Sequence, residues 1–335
     1  MKIFYAIQGT GNGHLSRAVE LYPYLKKYGE VDFFLSGSNA HLNCAIPIKY
    51  RSKGVSLFYK NTGGLDYKKM VSSFSFEIFK DAKNLPVEQY DLVINDFDFV
   101  TSLACSSKKV SSVHFGHQAS FQSKATPRSN QNSLIGNTIL EKFVKSDSHI
   151  GLHFEQYDEH IYNPIIKSEI INAVPINDGH ITVYLPQYSI EFLAPYLLAQ
   201  PKYHFEVFTK QVDRIVCNQN ITYYPINNEQ FTSSLIRCYG IITAGGFETP
   251  AEAMYMNKKV LSIPILNHFE QECNGKALKN MGVMVLEKID VSFSKHFNDW
   301  IENWKPVQLT LKHSTEDIID ILINTNKKYK HVHHS

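Results

Sequence analysis

Residues 240–253 read Gly240-Ile241-Ile242-Thr243-Ala244-Gly245-Gly246-Phe247-Glu248-Thr249-Pro250-Ala251-Glu252-Ala253. A short apolar run of strand character meets two glycines, and a helix-forming segment follows. Gly245 and Gly246 permit a tight turn and close approach of a ligand to the backbone. A helix opening near Phe247, with Thr249 in its first turn, aims unpaired N–H groups and a positive dipole end at that ligand, which suits a diphosphate. Glu252, roughly one and a half turns in, is placed to accept bonds from two ribose hydroxyls. A further strand, Val260–Ile263, ends at Pro264, and Asn267-His268-Phe269-Glu270-Gln271-Glu272-Cys273-Asn274 opens another helix. Glu270 and Gln271 are there to read sugar hydroxyls. Taken singly, the glycine pair is a turn and Glu252 a solvated helix face; the ordered set, closed by Asn274, points to a nucleotide-diphosphate site.

Outward from this stretch, short apolar runs alternate with helical patterns. Strands are expected at Lys2–Gln8, Val31–Leu35, Leu92–Asn95, Val110–Phe115, Thr182–Leu185, Phe205–Thr209, Gly240–Thr243 and Val260–Ile263. Helices are expected at Leu15–Tyr28, Tyr67–Lys83, Ser189–Leu198, Phe247–Met256, Glu270–Met281 and Thr315–Asn324. That alternation is the pattern of an α/β fold with parallel sheets, which bind ligands at the carboxyl ends of their strands. With 335 residues the chain exceeds a single core, and the Pro- and Asn-containing stretch 158–178 places a domain break near 165. In the second half, Gln187 in Leu185-Pro186-Gln187-Tyr188-Ser189 is a candidate diphosphate contact, and Tyr223-Tyr224-Pro225 is read as following a later strand near a base.

The first half opens with its own glycine loop, Gly9-Thr10-Gly11-Asn12-Gly13-His14, between a strand and a helix. A dinucleotide fingerprint fails twice. His14 stands where the third glycine belongs, and Val31–Ser36 ends in Ser36-Gly37-Ser38 without an acid for a ribose. An imidazole in the mouth of such a loop is a candidate general base; capping or packing is the plain alternative. Gly11, Asn12 and Gly13 would line the same cleft. Asp96-Phe97-Asp98 is formally a metal-binding DxD, a pattern common by chance and poorly matched to two glycine loops.

These elements together resemble GT-B fold glycosyltransferases, in particular the group similar to the GlcNAc transferase of peptidoglycan synthesis and its uncharacterised bacterial and archaeal relatives. Gly-x-Gly-x-Gly-His-x-x-Arg-Ala is met by Gly9 through Ala18, Asp-Phe-Glu by Asp96-Phe97-Asp98, a His/Asn-Gln pair by His117-Gln118, and Gly-Gly-Phe-x-Thr-x-x-Glu-Ala by Gly245 through Ala253. Departures are Asn257-Lys258-Lys259 for Gly-Lys-Pro, Asn274-Gly275 for Asn-Ala, and Asp98 for Glu. The resemblance implies two facing Rossmann-like domains with an interdomain cleft: residues 1–164 for the acceptor and 165–335 for the nucleotide-sugar donor, with the final helix able to pack back on the first domain. It implies inverting transfer from a nucleotide sugar, UDP-sugar foremost, to an acceptor hydroxyl without a metal or other cofactor. The base would be His14, or else Asp96, with Asp98, His117 and Gln118 in the acceptor cleft. Gln187, Gly245, Gly246, Phe247, Thr249, Glu252, Glu270, Gln271 and Asn274 would bind the donor. The competing expectations are an epimerase or hydrolase of nucleotide sugars on this fold, and a catalytically degenerate nucleotide-sugar-binding protein.

Composition narrows the setting. The five cysteines (Cys44, Cys105, Cys217, Cys238, Cys273) form no CxxC pair, so neither a disulfide framework nor a zinc site is expected. No apolar run is long enough to span a bilayer, and the amino terminus reads as a first strand rather than a signal peptide. A cytoplasmic protein is expected. Net charge is +2, which gives no case for nucleic acid, but residues 1–150 carry +6 and residues 151–335 carry −4. The basic half, with its aromatic and basic stretches 57–60 and 67–80, suits an anionic or lipid-linked acceptor and peripheral contact with the inner membrane face; ordinary surface scatter of charge is the plain alternative, and Val71, Phe74 and Ile78 share a face of core character. Residues 120–137, rich in Ser, Asn and Gln, are read as a mobile loop over the acceptor or, equally, as a plain surface connection.

Overall fold

The structure is a computed structural model and describes residues 1–9, 12–37, 46–55, 76–129 and 134–332. The first sheet is built from β1 (Lys2–Gln8), β2 (Glu30–Ser36), β3 (Ile48–Ser52), β4 (Leu92–Asp96), β5 (Val113–Gly116), β6 (Ser148–Leu152) and β7 (Ile161–Tyr162). Their order is β3-β2-β1-β4-β5-β6-β7, with parallel pairings throughout. The second sheet holds β8 (Ile181–Tyr184), β9 (Phe205–Thr209), β10 (Val216–Asn218), β11 (Ile221–Pro225), β12 (Gly240–Thr243), β13 (Lys259–Ser262) and β14 (Met284–Val285). Their order is β10-β11-β9-β8-β12-β13-β14, and the β10–β11 pairing is antiparallel. The helices are α1 (Asn12–Leu25), α2 (Phe76–Asn84), α3 (Phe99–Lys108), α4 (Leu134–Lys142), α5 (Ser168–Ile171), α6 (Ile190–Leu198), α7 (Asn228–Arg237), α8 (Glu248–Tyr255), α9 (Phe269–Asn280), α10 (Phe293–Asn303) and α11 (Thr315–Val332).

Central strands are apolar on both faces because helices cover both: β1 is buried from Ile3 to Gln8 and β12 along its whole length. One face of the first sheet packs Phe4, Phe34 and Val93 against Val100 and Ala104 of α3. The other face puts Ile3, Tyr5 and Ile94 into a core shared with Leu15 and Leu21 of α1 and Ile318 and Leu322 of α11. Strand order reverses between β1 and β4 in one sheet and between β8 and β12 in the other. At such switch points a crevice opens beyond the carboxyl ends of the strands. The start of α1 meets the end of β4 and the helix start after β12 through Arg17–Asp96 and Arg17–Glu248.

Several contacts hold the two halves together. Phe269 and Cys273 of α9 pack with Phe97 and Phe121 of the first half. In the connecting segment, Ser168 donates its backbone N–H to Glu20 at 3.0 Å, while Thr232 donates its hydroxyl to Glu169 at 3.0 Å. α11 opens with a reciprocal cap, Asp317 N–H to Ser314 Oγ and Ser314 N–H to Asp317 Oδ2, and meets the turn after α1 through Tyr28–Asp320 and Lys27–Glu316.

Three local expectations change. Tyr223-Tyr224-Pro225 lies within β11 rather than after a strand, because these residues continue the parallel pairing with Val207–Thr209 of β9. Gln118–Gln122 is a 3-10 turn with Ser120 and Phe121 buried, so this stretch is packed rather than a simple surface loop. α2 starts at Phe76, with Ile78 buried; Val71, Phe74 and stretch 57–60 lie outside the described residues.

The interdomain cleft as candidate active site

α1 starts just beyond β1 and brings His14 and Arg17, one turn apart, to one side. Asp96 ends β4, and Phe97 after it takes a φ of 61°. Left-handed backbone costs a bulky residue about 1–2 kcal/mol, and here it sends neighbouring carboxylates in different directions. His14 Nδ1 lies 2.7 Å from Asp96 Oδ1. Arg17 donates from Nε to Oδ2 at 3.0 Å and from Nη2 to the two oxygens at 2.7 and 2.9 Å. Tyr5 Oη donates to Oδ2 at 3.2 Å. Burial alone would raise the Asp96 carboxyl, but Arg17 and His14 outweigh it and hold it well below the usual carboxylate range. So held and fully enclosed, Asp96 is suited to orient the imidazole rather than to take a proton. With Nδ1–H given to Asp96, His14 Nε2 turns its lone pair outward, 3.5 Å from Gln118 Nε2.

Gly116 is required by this arrangement. It has a φ of +123°, and a Cβ there would lie 2.8 Å from Asp96 Oδ1 and 3.1 Å from Arg17 Nη2. Asp98 faces elsewhere: its Oδ2 accepts the Thr101 N–H at 2.6 Å and caps α3. Fully buried, its short side chain bonds the helix start three residues on. Asp96 and Asp98 do not converge as a DxD pair. Among the described residues no group of three or more His, Cys, Asp or Glu suits a metal ion.

Across the cleft, α8 begins at Glu248 without a side-chain cap on its first amides. Gly246 borders open space, since a Cβ there would meet nothing within 4 Å. Gly245 is packed instead, its Cβ direction running 2.7 Å from the Gln271 carbonyl oxygen and 3.0 Å from Pro264. Gln271 Oε1 accepts the Gly245 and Ile265 N–H groups at 3.1 and 3.0 Å, so this oxygen props the glycine loop and is not free to read a sugar. Asn274 is fully buried, donates to the Gly245 carbonyl at 3.0 Å and sits with Oδ1 2.8 Å from His117 Nε2. Phe247 stacks on His117. The side chains of Asn274 and Phe247 thus brace the domain junction, with His117 between them, while the Phe247 backbone N–H remains part of the helix start. Enclosure pushes the His117 imidazole below its usual value despite nearby Glu270. Burial would raise Glu270, but His117 and His268 lower it on balance. Gln187 donates to the Ile263 carbonyl at 3.0 Å.

Between α1 and the second sheet lies a pocket lined by Asn12, Gly13, Ser16, Lys167, Tyr184, Phe208, Ile226, Asn227, Asn228, Phe231, Glu248, Thr249 and Glu252. Phe208 stacks on Tyr224 with centroids 5.1 Å apart. Glu252 faces Lys167 Nζ at 3.2 Å. Burial pushes its carboxyl up to about 7, moderated by Lys167. The pocket joins an aromatic wall, a carboxylate and a helix start, which can take a base, a ribose and a phosphate in that order. Gly11 lies outside the described residues. Sequence reasoning missed Lys167, Glu248 and the wall residues Tyr184, Phe208 and Phe231. Arg17 stood within the quoted glycine-loop motif but was given no task.

The family profile described as glycosyl transferase family 1 matches residues 1–302. The chain belongs to that family and is a glycosyltransferase of GT-B fold. A search of curated proteins finds no match. Among solved structures it is similar to the spinosyn forosaminyltransferase SpnP (TM-score 0.59, 12% identity, covering 98% of this chain and 99% of that one). It is also similar to MurG of Acinetobacter baumannii (0.57, 12%, 96% and 99%) and to the S. aureus MnaA–UDP co-structure (0.61, 13%, 98% and 97%). Among the described residues no helix is long and apolar enough to cross a membrane.

Proposed function

We propose that this glycosyltransferase moves a sugar from a nucleotide-diphosphate donor, UDP-sugar foremost, to an acceptor hydroxyl, inverting the anomeric carbon without a metal. Residues 165–335 hold the donor and residues 1–164 the acceptor. The observation that carries the reading is the His14–Asp96 contact of 2.7 Å standing opposite the open Gly246 loop and the uncapped start of α8. His14 Nε2 takes the acceptor proton as the oxygen attacks, and Asp96 stabilises the imidazolium that forms. The leaving diphosphate gathers its charge on the Gly246–Thr249 amides; preorganised donors of this kind contribute about 3 kcal/mol each. Glu252 binds the ribose, the Phe208 wall receives the base, and Glu270 reads the sugar. The S. aureus neighbour holding UDP supports UDP as the carrier to try first.

A cytoplasmic setting, with peripheral contact at the inner membrane face, belongs to the same proposal. It is supported by the charge of +6 on residues 1–150 and by exposed Phe76 and Phe79 on α2. The test offers UDP-, TDP- and GDP-hexoses with hydroxyl acceptors to wild type and His14→Gln, and follows product stereochemistry by NMR. An inverted glycoside made by wild type and reduced at least a hundredfold in His14→Gln supports the reading. Free sugar or an epimer made without acceptor overturns it in favour of hydrolysis or epimerisation.

A further inference from the structure

Arg17 joins the two sides of the cleft. While Nε and Nη2 grip Asp96, Nη1 donates to Glu248 Oε1 at the first residue of α8. Arg17 is 4% exposed and Asp96 fully buried, whereas the Glu248 side chain keeps 23% exposure. The same guanidinium comes within 3.0 Å of His14 Nδ1. The charges facing the His14 ring are Asp96 from β4, Arg17 from its own helix, Glu270 from α9 and, through Arg17, Glu248 from α8; His114 from β5 adds a titratable neighbour.

From this geometry we infer that Arg17 and Glu248 are positioning residues that tie the placement of α8 to the basicity of His14. Without Glu248, the cation of Arg17 cancels Asp96, and the imidazole gains little by taking a proton. With Glu248 seated, Arg17 is balanced from the donor side, and the Asp96 charge is left to stabilise the imidazolium. The base then gains strength only when α8, and the diphosphate loop it begins, is in place. The fork of Arg17 matters as well as its charge, because a lysine cannot hold both carboxylates at once. Gly13 fits the same device: a Cβ there would lie 2.6 Å from Glu248 Oε2. The end of that side chain can swing away, so Gly13→Ala unseats Glu248 without breaking the fold.

The inference rests on His14 as the base, and its test is chosen to fail separately. The ring of His14, labelled and assigned with His14→Asn, is titrated by NMR in the full-length protein without substrate. Glu248→Gln, partly exposed and isosteric, is expected to move the midpoint down by about 0.5–1 unit, as loss of one nearby charge does at a partly solvated site. Gly13→Ala is expected to move it the same way, Arg17→Met to move it up, and Arg17→Lys to follow Glu248→Gln. A purely structural role would move none of these in opposite senses. Glu248→Gln within 0.2 unit of wild type, or Glu248→Gln and Arg17→Met shifting together, overturns the inference, and Glu248→Gln decides alone if Arg17→Met does not fold. If His14 is not the base, the titrations still shift, and activity in His14→Gln reveals that separate failure.

Discussion

His117 of the first half lies flat on Phe247 of the second, ring centroids 4.0 Å apart and 10° from parallel. Phe247 is also the N-cap directly before α8, so this stack fixes where the helix start points. Asn274 ties the same imidazole to the Gly245 carbonyl. His117→Ala removes the stack and leaves buried Asn274 Oδ1 unpaired. The variant is expected to lose about 2–4 kcal/mol of stability in urea unfolding and to weaken donor binding, although His117 would not touch the donor.

If Glu252 binds the donor ribose as proposed, donor affinity depends on pH. Its carboxyl is pushed up to about 7 by burial, and only the ionised form accepts both ribose hydroxyls. Affinity for UDP is therefore expected to be full above pH 8 and to fall about tenfold per unit below pH 7, as calorimetry would register. Glu252→Gln should flatten the profile at the weak level.

Gly116→Ala places a methyl group against Asp96 and Arg17 at a backbone angle that disfavours any side chain. Turnover is expected to drop ten- to a hundredfold, with a stability loss of about 1–2 kcal/mol. Steady-state kinetics beside a melting curve would check both.

Asp98→Ala separates capping from chemistry. Because Asp98 Oδ2 serves the Thr101 N–H, the variant should lose about 1–2 kcal/mol of stability and keep the donor affinity of wild type. A donor affinity lowered tenfold in a folded variant would return Asp98 to the cleft.

The alternation of apolar runs made the two parallel sheets legible, and the glycine loops with His14 and Glu252 made their facing ends legible. What was hidden depended on contacts that leave no local pattern. Arg17 meets Glu248 across 231 residues, and neither periodicity nor spacing connects them. Asn274 and Gln271 are polar residues on the helix expected beside the sugar, so they read as ligand contacts; in the structure the buried Asn274 amide donates to the Gly245 carbonyl and Gln271 Oε1 accepts the Gly245 N–H. Asp98 read as the partner of Asp96 because the chain places them two apart, whereas the left-handed Phe97 turns them away from each other.

The most direct test is UDP binding to Gly246→Val without added metal, beside wild type and with uridine as a second ligand. Nothing lies within 4 Å of a Cβ at Gly246, so the melting temperature should not change. If the diphosphate rests on this loop, wild type should bind UDP with micromolar affinity. The variant should bind it at least thirtyfold more weakly while uridine binding changes little. Equal UDP affinity in wild type and Gly246→Val, or no binding of UDP, TDP or GDP to folded wild type, would contradict a donor site at the start of α8.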